Sequence, residues 1–261
     1  MNLNLDGRHA LIGGGSQGIG RATALELACL GADVTVIGRD EDRLQATLVE
    51  LTSIRPGNHH ALVADYADRA ALERVAGGWL ARHPAQILVN NTGGPAPGPI
   101  IDADEAAFLD TFGQHLLCNQ LLTRLVLPGM RAVGYGRVVN VISTSVREPI
   151  RGLGVSNTVR GAVASWAKTL ATELAPEGFT VNNVLPGFTR TARLDGLIAG
   201  KVKSSGASTD EVASGMASVV PMGRFASAGE IAAAIAFLAS PAASYITGIS
   251  LAVDGGRTLC I

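Results

Sequence analysis

The sequence predicts an α/β protein: a doubly wound parallel sheet of about seven strands flanked by helices, in a single domain over residues 1–261. Three observations predict it. Short apolar, β-branched runs alternate with helix-length segments along the whole chain. A glycine-rich stretch, Gly13-Gly14-Gly15-Ser16-Gln17-Gly18-Ile19-Gly20, closes the first run and opens the first helix. Sharp turns recur where later strands end, at Asn91-Thr92-Gly93-Gly94, Pro186-Gly187 and Asp254-Gly255-Gly256.

The elements follow in order. His9-Ala10-Leu11-Ile12 is a buried strand, and the segment from Arg21 to Leu30 is helical. Between them, strand, glycine turn and helix N-terminus suit an anion, because first-turn N–H groups are unpaired and the helix dipole is positive there. Val34-Thr35-Val36-Ile37 is the second strand; Asp40 can cap a helix that runs to about Leu51. Ala61-Leu62-Val63-Ala64 is the third strand, stopped at Asp65, and a helix follows from about Arg69 to Arg82. Gln86-Ile87-Leu88-Val89-Asn90 is the fourth, and the proline- and glycine-rich run after it cannot continue as strand or helix. Apolar spacing predicts one helix from about Asp104 to Arg131, with Pro128 near its end. Gly136–Ile142 is the fifth strand, with Ser143 at its C-terminal end. Helix is predicted over about 154–174, the sixth strand over Thr180–Leu185, and the last helix over about 227–239. Residues 192–222 read as polar, small and irregular, with one short helix near Asp210–Met216. Ile249–Val253 is the seventh strand. In such a sheet, ligands bind beyond the C-terminal strand ends.

Composition narrows the function classes. With 47% apolar residues the chain can bury a sizeable core, and a net charge of −1 exerts no global pull toward nucleic acid or an anionic membrane. Cys29, Cys118 and Cys260 are scattered and odd in number, so neither a zinc spacing nor a disulfide framework is expected, and a reduced, cytoplasmic setting is. No secretion signal and no bilayer-spanning run is expected. Lysine is scarce: Lys168, Lys201 and Lys203 are the only three among 21 basic residues. This limits where a lysine can act. The apolar end, Thr258-Leu259-Cys260-Ile261, reads either as packing against a neighbour or as disordered.

Taken together and in register, Gly14-Gly15-Ser16-Gln17-Gly18-Ile19-Gly20, Asp65, Asn90-Asn91-Thr92-Gly93, Ser143, Pro186-Gly187 and Asp254-Gly255-Gly256 resemble the short-chain dehydrogenase/reductase family over nearly the whole chain. The nearest flavour is the 3-oxoacyl carrier-protein reductase type. The resemblance implies a Rossmann-like fold and a dinucleotide site. Ser16, Gln17 and Ile19 would line the pyrophosphate turn, Asp65 and Tyr66 would border the adenine, Asn91 and Gly93 would pass beside the ribose, and Pro186, Gly187, Thr189 and Thr191 would flank the nicotinamide. It also implies a homodimer or homotetramer, with helices 104–131 and 154–174 at one interface.

Cofactor choice has a physical argument. A carboxylate at the end of the second strand would accept from a ribose 2′-hydroxyl and repel a 2′-phosphate. Gly38 stands there, and Arg39 follows, whose guanidinium can pair a phosphate. NADP(H) is expected over NAD(H). The alternative is that Arg39 is a surface charge paired with Glu41 or Asp42.

The catalytic positions depart from the family pattern of Asn, Ser, Tyr and Lys. Counting from Ser143, the Tyr-x-x-x-Lys motif should fall at residues 156 to 160, where this chain has Ser156-Asn157-Thr158-Val159-Arg160. The family Asn falls near His115. Ser156 is too short and too weakly acidic to replace a phenol. Arg160 stays protonated, so it does not shuttle a proton, but it can bind the nicotinamide ribose and place charge near a developing alkoxide. Three readings of His115 stand: it holds a water or backbone group; it is a core or surface histidine displaced by the count; or it is the replacement acid, working through water. Arg147, Arg151, Arg190 and Arg193 border the substrate side. If two converge, they select a carboxylate, phosphate or acyl-thioester. Thr144 and Ser145 read as loop-capping hydroxyls. Residues 192–222 would be the substrate lid.

The sequence therefore points to an NADP(H)-dependent oxidoreductase acting on a carbonyl, or a related C=N or C=C group, with an atypical site of Ser143, Ser156, Arg160 and His115. The alternatives are a cofactor-binding sensor or inactive subunit, and a lyase or isomerase on the same scaffold.

Overall fold

The computed structural model describes residues 1–260. Seven strands form one parallel sheet: β1 His9–Gly13, β2 Asp33–Gly38, β3 His60–Val63, β4 Ile87–Asn90, β5 Arg137–Val141, β6 Thr180–Pro186 and β7 Ser250–Val253. Their order is β3-β2-β1-β4-β5-β6-β7. The order reverses between β1 and β4, which opens a crevice at the C-terminal edge. Every strand expected from the sequence is present.

Alternate side chains of the buried strands serve two cores. Ala10, Ile12, Val34, Val36, Val89 and Val139 face one side, against α1 (Gly18–Cys29), α2 (Glu41–Ile54) and the last helix, Ala228–Ala239. Leu11, Ile37, Leu88, Val138 and Val181 face the other, against α3 (Arg69–Leu80) and two later helices. Asp40 caps α2 as expected, accepting from the Arg43 N–H at 3.1 Å.

Two segments differ from expectation. The single helix expected over 104–131 is α4 (Glu105–Phe112), a π-helical turn (Gly113–Leu117) and α5 (Cys118–Val133). A π-turn inserts one residue and rotates everything after it, which apolar spacing does not reveal. The second is 192–222, which is not irregular. It forms α7 (Ala192–Ser205), which follows α6 (Gly154–Leu174), and then α8 (Thr209–Ser218). Small residues and glycines depress its helix propensity, yet Leu194, Ile198, Val202, Met216, Phe188 and Phe225 pack into a small core of their own. Gly206, at φ +72°, terminates α7. The C-terminal tail is also ordered: Glu148 accepts from the N–H groups of Leu259 and Cys260 at 2.6 and 3.1 Å. Ile261 lies outside the described residues. None of the described helices is long and apolar enough to cross a membrane.

A polar ladder crosses the otherwise apolar sheet. Asn90, Asn140, Asn183 and Ser250 are register partners on β4, β5, β6 and β7. Asn90 Nδ2 donates to Asn140 Oδ1 at 2.9 Å, Asn140 Nδ2 to Asn183 Oδ1 at 2.9 Å, and Asn183 Nδ2 to Ser250 Oγ at 3.1 Å. The three asparagines are buried. A slip of one strand would leave several buried amide groups without partners, so the ladder pins the register. Asn140→Ala, which orphans a donor on one side and an acceptor on the other, is expected to lower stability by roughly 2–4 kcal/mol in urea unfolding. A loss under about 1 kcal/mol would show that the ladder does not hold the sheet.

Candidate active site

The crevice over β1, β4, β5 and β6 is a cavity of about 660 Å³. Its dinucleotide end is built from the glycine stretch. Gly14 has φ +58°, and a Cβ there would stand 2.6 Å from Asn91 Nδ2. Asn91 Nδ2 in turn donates to the Gly13 carbonyl at 3.1 Å, tying the ends of β1 and β4 together. Gln17, the N-cap of α1, makes no side-chain capping bond, so protein side chains leave the first-turn N–H groups free. A backbone cradle that excludes Cβ atoms and ends in free N–H groups fits a pyrophosphate.

Gly14, Ser16, Gln17, Gly18, Ile19, Arg39, Asp65, Tyr66, Asn91, Gly93, Pro186, Gly187, Thr189 and Thr191 all line this cavity, and Gly20 packs against the Gly14 carbonyl beneath it. Arg39 makes no ion pair with Glu41 or Asp42; the pair in this region joins Arg43 to Asp40 at 3.1 Å. Arg43 also donates to Gln17 Oε1 at 2.6 Å, beside the turn, a contact the sequence reading missed. Tyr66 is in the wall, but its ring is buried with the core and no protein group bonds its hydroxyl. Burial pushes that phenol well above its usual range.

The other end of the cavity holds Ser143, Ser156 and Arg160. Ser143 caps a short 3-10 turn, its Oγ accepting from the Ser145 N–H at 3.1 Å. Ser156 and Arg160, one helical turn apart on α6, bond to each other: Arg160 Nε donates to Ser156 Oγ at 3.2 Å. Arg160 Nη1 donates to the carbonyls of Val141 and Ile142, at 3.1 and 2.9 Å, the end of β5 just before Ser143. Burial, then the neighbouring Arg193, lowers its pKa to about 10, and the guanidinium stays charged at neutral pH.

His115 does not line the cavity. It sits buried in the π-turn and has its pKa pushed down to about 3 by burial and then by Arg160, with the Gly93 backbone opposing the shift. At neutral pH this imidazole carries no extra proton to give.

Among the four arginines flagged from the sequence, Arg193 lines the cavity. Arg147 Nη2 donates to the Ser250 carbonyl at 2.9 Å, and Arg190 sits 5.9 Å over the Phe225 ring. Arg151 lines a separate hollow of about 680 Å³, together with Ser145. Thr144 lines the main cavity, and its Oγ1 accepts from Arg257 at 3.3 Å. Arg257 is also in the wall, and its only sequence signal is its place directly after Asp254-Gly255-Gly256. No lysine is among the described lining residues. Tyr135 donates to the Ala239 carbonyl in the core, and Tyr245 is fully exposed.

The parallel sheet and the glycine cradle fit the Rossmann-like class of α/β folds. Residues 14–258 match the family described as enoyl-(acyl carrier protein) reductase. The chain is 32% identical over 255 residues to the 3-oxoacyl-[acyl-carrier-protein] reductase FabG of Escherichia coli (strain K12), covering 97% of this chain and 98% of that one. It is 30% identical over 253 residues to the NADPH-dependent reductase BacG of Bacillus subtilis (strain 168), covering 95% and 97%. Its fold matches the crystal structure of L-sorbose reductase from Gluconobacter frateurii, complexed with NADPH and L-sorbose, with a TM-score of 0.94 at 29% identity, over 100% of both chains. The chain belongs to the short-chain dehydrogenase/reductase family.

The cradle yields a direct expectation. Gly14→Ala forces a Cβ against Asn91 and strains a positive φ. NADPH binding measured by calorimetry should weaken at least about 10-fold. Unchanged affinity would contradict the cradle's role.

Proposed function

We propose that the protein is an NADP(H)-dependent oxidoreductase that moves a hydride to or from a carbonyl, or a related C=N or C=C group, without a side-chain proton donor. The reading rests on one observation: Ser143 and a charged Arg160 share the cleft with the glycine cradle, while the Tyr66 phenol is buried without a partner and the His115 ring is held uncharged outside the cavity lining. Arg39 supports the phosphorylated cofactor, because the strand-end position Gly38 carries no carboxylate and the nearby Asp40 is already paired with Arg43. Neighbouring proteins whose structures hold NADPH support the same choice.

Reduced nicotinamide supplies the hydride when bound. The chain's residues do the rest. Ser143 Oγ orients the substrate oxygen. Arg160, fixed by two carbonyls and Ser156, presents positive charge to the oxygen as it becomes anionic, with no reorganisation needed during the reaction. Ser156 leaves the space that a phenol would fill, and water there supplies or takes the proton. His115 positions the Gly93 loop, as the first of its three readings has it; the acid role conflicts with a pKa near 3. The hairpin of α7 and α8 acts as the lid, since Ala192, Arg193, Leu194 and Leu197 wall the cleft. Exposed Leu109 and Phe112 on α4, one of the helices expected at an interface, support assembly into a dimer or tetramer.

Turnover tests the proposal. NADPH oxidation should be followed with 3-oxoacyl thioesters, ketones, quinones, imines and enones. At least one should be reduced, and Ser143→Ala should slow that reaction by about 10²–10³-fold. Tight NADPH binding with no turnover on any class would favour a cofactor-binding, non-redox protein. The pH profile is a second test. Arg160 loses charge only above about 10 and His115 gains it only below about 3, so kcat should stay level from about pH 6 to about pH 9. A break near neutrality would reveal a titrating acid and contradict the mechanism.

A further inference from the structure

The substrate end of the cleft carries more positive charge than a hydride site needs. Arg160 spends Nε and Nη1 on protein acceptors, and its Nη2 has none among the described residues. Arg193, from α7, donates Nη2 to the Pro95 carbonyl at 2.7 Å, and its Nε and Nη1 have no acceptor there. Both Nη2 atoms lie 3.5 Å from the point where a Cβ on Gly94 would stand, so the two heads meet over that glycine. Neither guanidinium is in an ion pair. Arg257 adds a third cation to the same wall, its guanidinium 4.6 Å over the Phe188 ring.

Two like charges held together without a carboxylate are unfavourable unless an anion joins them. The chain does not supply one. Asp65 is the only carboxylate among the lining residues, and it follows β3, three strand positions from β4, whose loop carries Gly94, roughly 14 Å away. The pyrophosphate cradle on β1 is one strand spacing from β4, roughly 5 Å, and Thr191, two residues before Arg193, lies against Gly18. Arg160 reaches the same point from the end of β5 beside Ser143, so the pair borders both the cradle and the substrate end. Ile142, Ile150, Leu153 and Leu197 add apolar surface to the same wall, alongside the hydroxyls of Ser143, Thr144 and Ser156.

We infer that the cleft selects substrates bearing a carboxylate on an apolar body, with Arg160 and Arg193 holding the two carboxylate oxygens beside Ser143. This deepens the oxidoreductase reading and rests on it for the reacting bond. The free edge of Arg193 and the free Nη2 of Arg160 offer donors from two directions, which two carboxylate oxygens can accept at once. The lowered pKa of both guanidiniums, caused first by burial, is relieved when the anion arrives.

The test uses the full chain saturated with NADP⁺. Phenylpyruvate and its methyl ester, benzoate and benzamide, and inorganic phosphate are titrated by calorimetry. Each acid is expected to bind at least about 10-fold tighter than its neutral partner. Arg193→Met should abolish that preference while changing NADP⁺ affinity by less than about 3-fold; Arg193→Lys, which keeps the charge but not the fork, should retain part of it. Three results would overturn the inference: no Arg193-dependent acid binding up to about 20 mM, phosphate binding tighter than both acids, or a loss of NADP⁺ affinity of about 10-fold or more in Arg193→Met with acids and neutral partners bound alike. NADPH oxidation with the same compounds separates the two readings. Ester reduced as fast as acid keeps the oxidoreductase and removes the carboxylate site. Arg193-dependent acid binding with none of the compounds reduced keeps the carboxylate site and counts against the oxidoreductase.

Discussion

The asparagine ladder across β4, β5, β6 and β7 is the constraint on which the rest depends. It lies near the C-terminal edge of the sheet, directly beneath the site. Asn90 precedes Asn91 and Gly93, Asn140 stands three residues before Ser143, and Asn183 stands three before Pro186. Pairing Asn90, Asn140 and Asn183 through their side chains fixes the heights at which the three strands end. Those heights decide whether a loop carrying Gly93, a turn carrying Ser143 and a turn carrying Gly187 meet in one cleft. An apolar sheet would stack equally well in more than one register; a row of buried amides does not.

On that frame the two ends of the cleft are governed by different physics. The cradle works by omission: glycine backbone and free helix N–H groups leave room and partial positive charge for a phosphate. The substrate end works by surplus. A charged guanidinium is locked to the end of β5, a second leans in from α7, and no acid answers them. The same crowding explains His115. Burial and the nearby Arg160 keep its ring neutral, so the π-turn brings a histidine to the Gly93 loop without making it an acid. Tyr66 is excluded in a different way, sealed beneath the cradle with an unbonded hydroxyl. In the proposed reaction Arg160 stabilises the developing charge and water moves the proton.

Much of this was legible in the sequence. The seven strands were marked by β-branched runs and by the turns that end them, and the cradle by glycines in register with Asp65 and Asn91. The change at Ser156 and Arg160 needed only a count from Ser143. The rest depended on relations that one-dimensional spacing does not carry. The ladder exists only once strand order and register are known. The π-turn conserves apolar spacing while shifting helical phase. The hairpin of α7 and α8 hides its small core behind glycines and polar residues. Arg257 reaches the cleft only because the tail folds back, with Glu148 holding Leu259 and Cys260.

A crystal structure of the NADPH complex tests the central claim most directly. The account predicts that Ser143 Oγ and Arg160 Nη2 border the space above the nicotinamide ring, with water in the gap over Ser156 and both Tyr66 and His115 still buried. A structure in which the Tyr66 phenol or the His115 ring turns into that space, or in which Arg160 and Arg193 both bind the pyrophosphate, would contradict it.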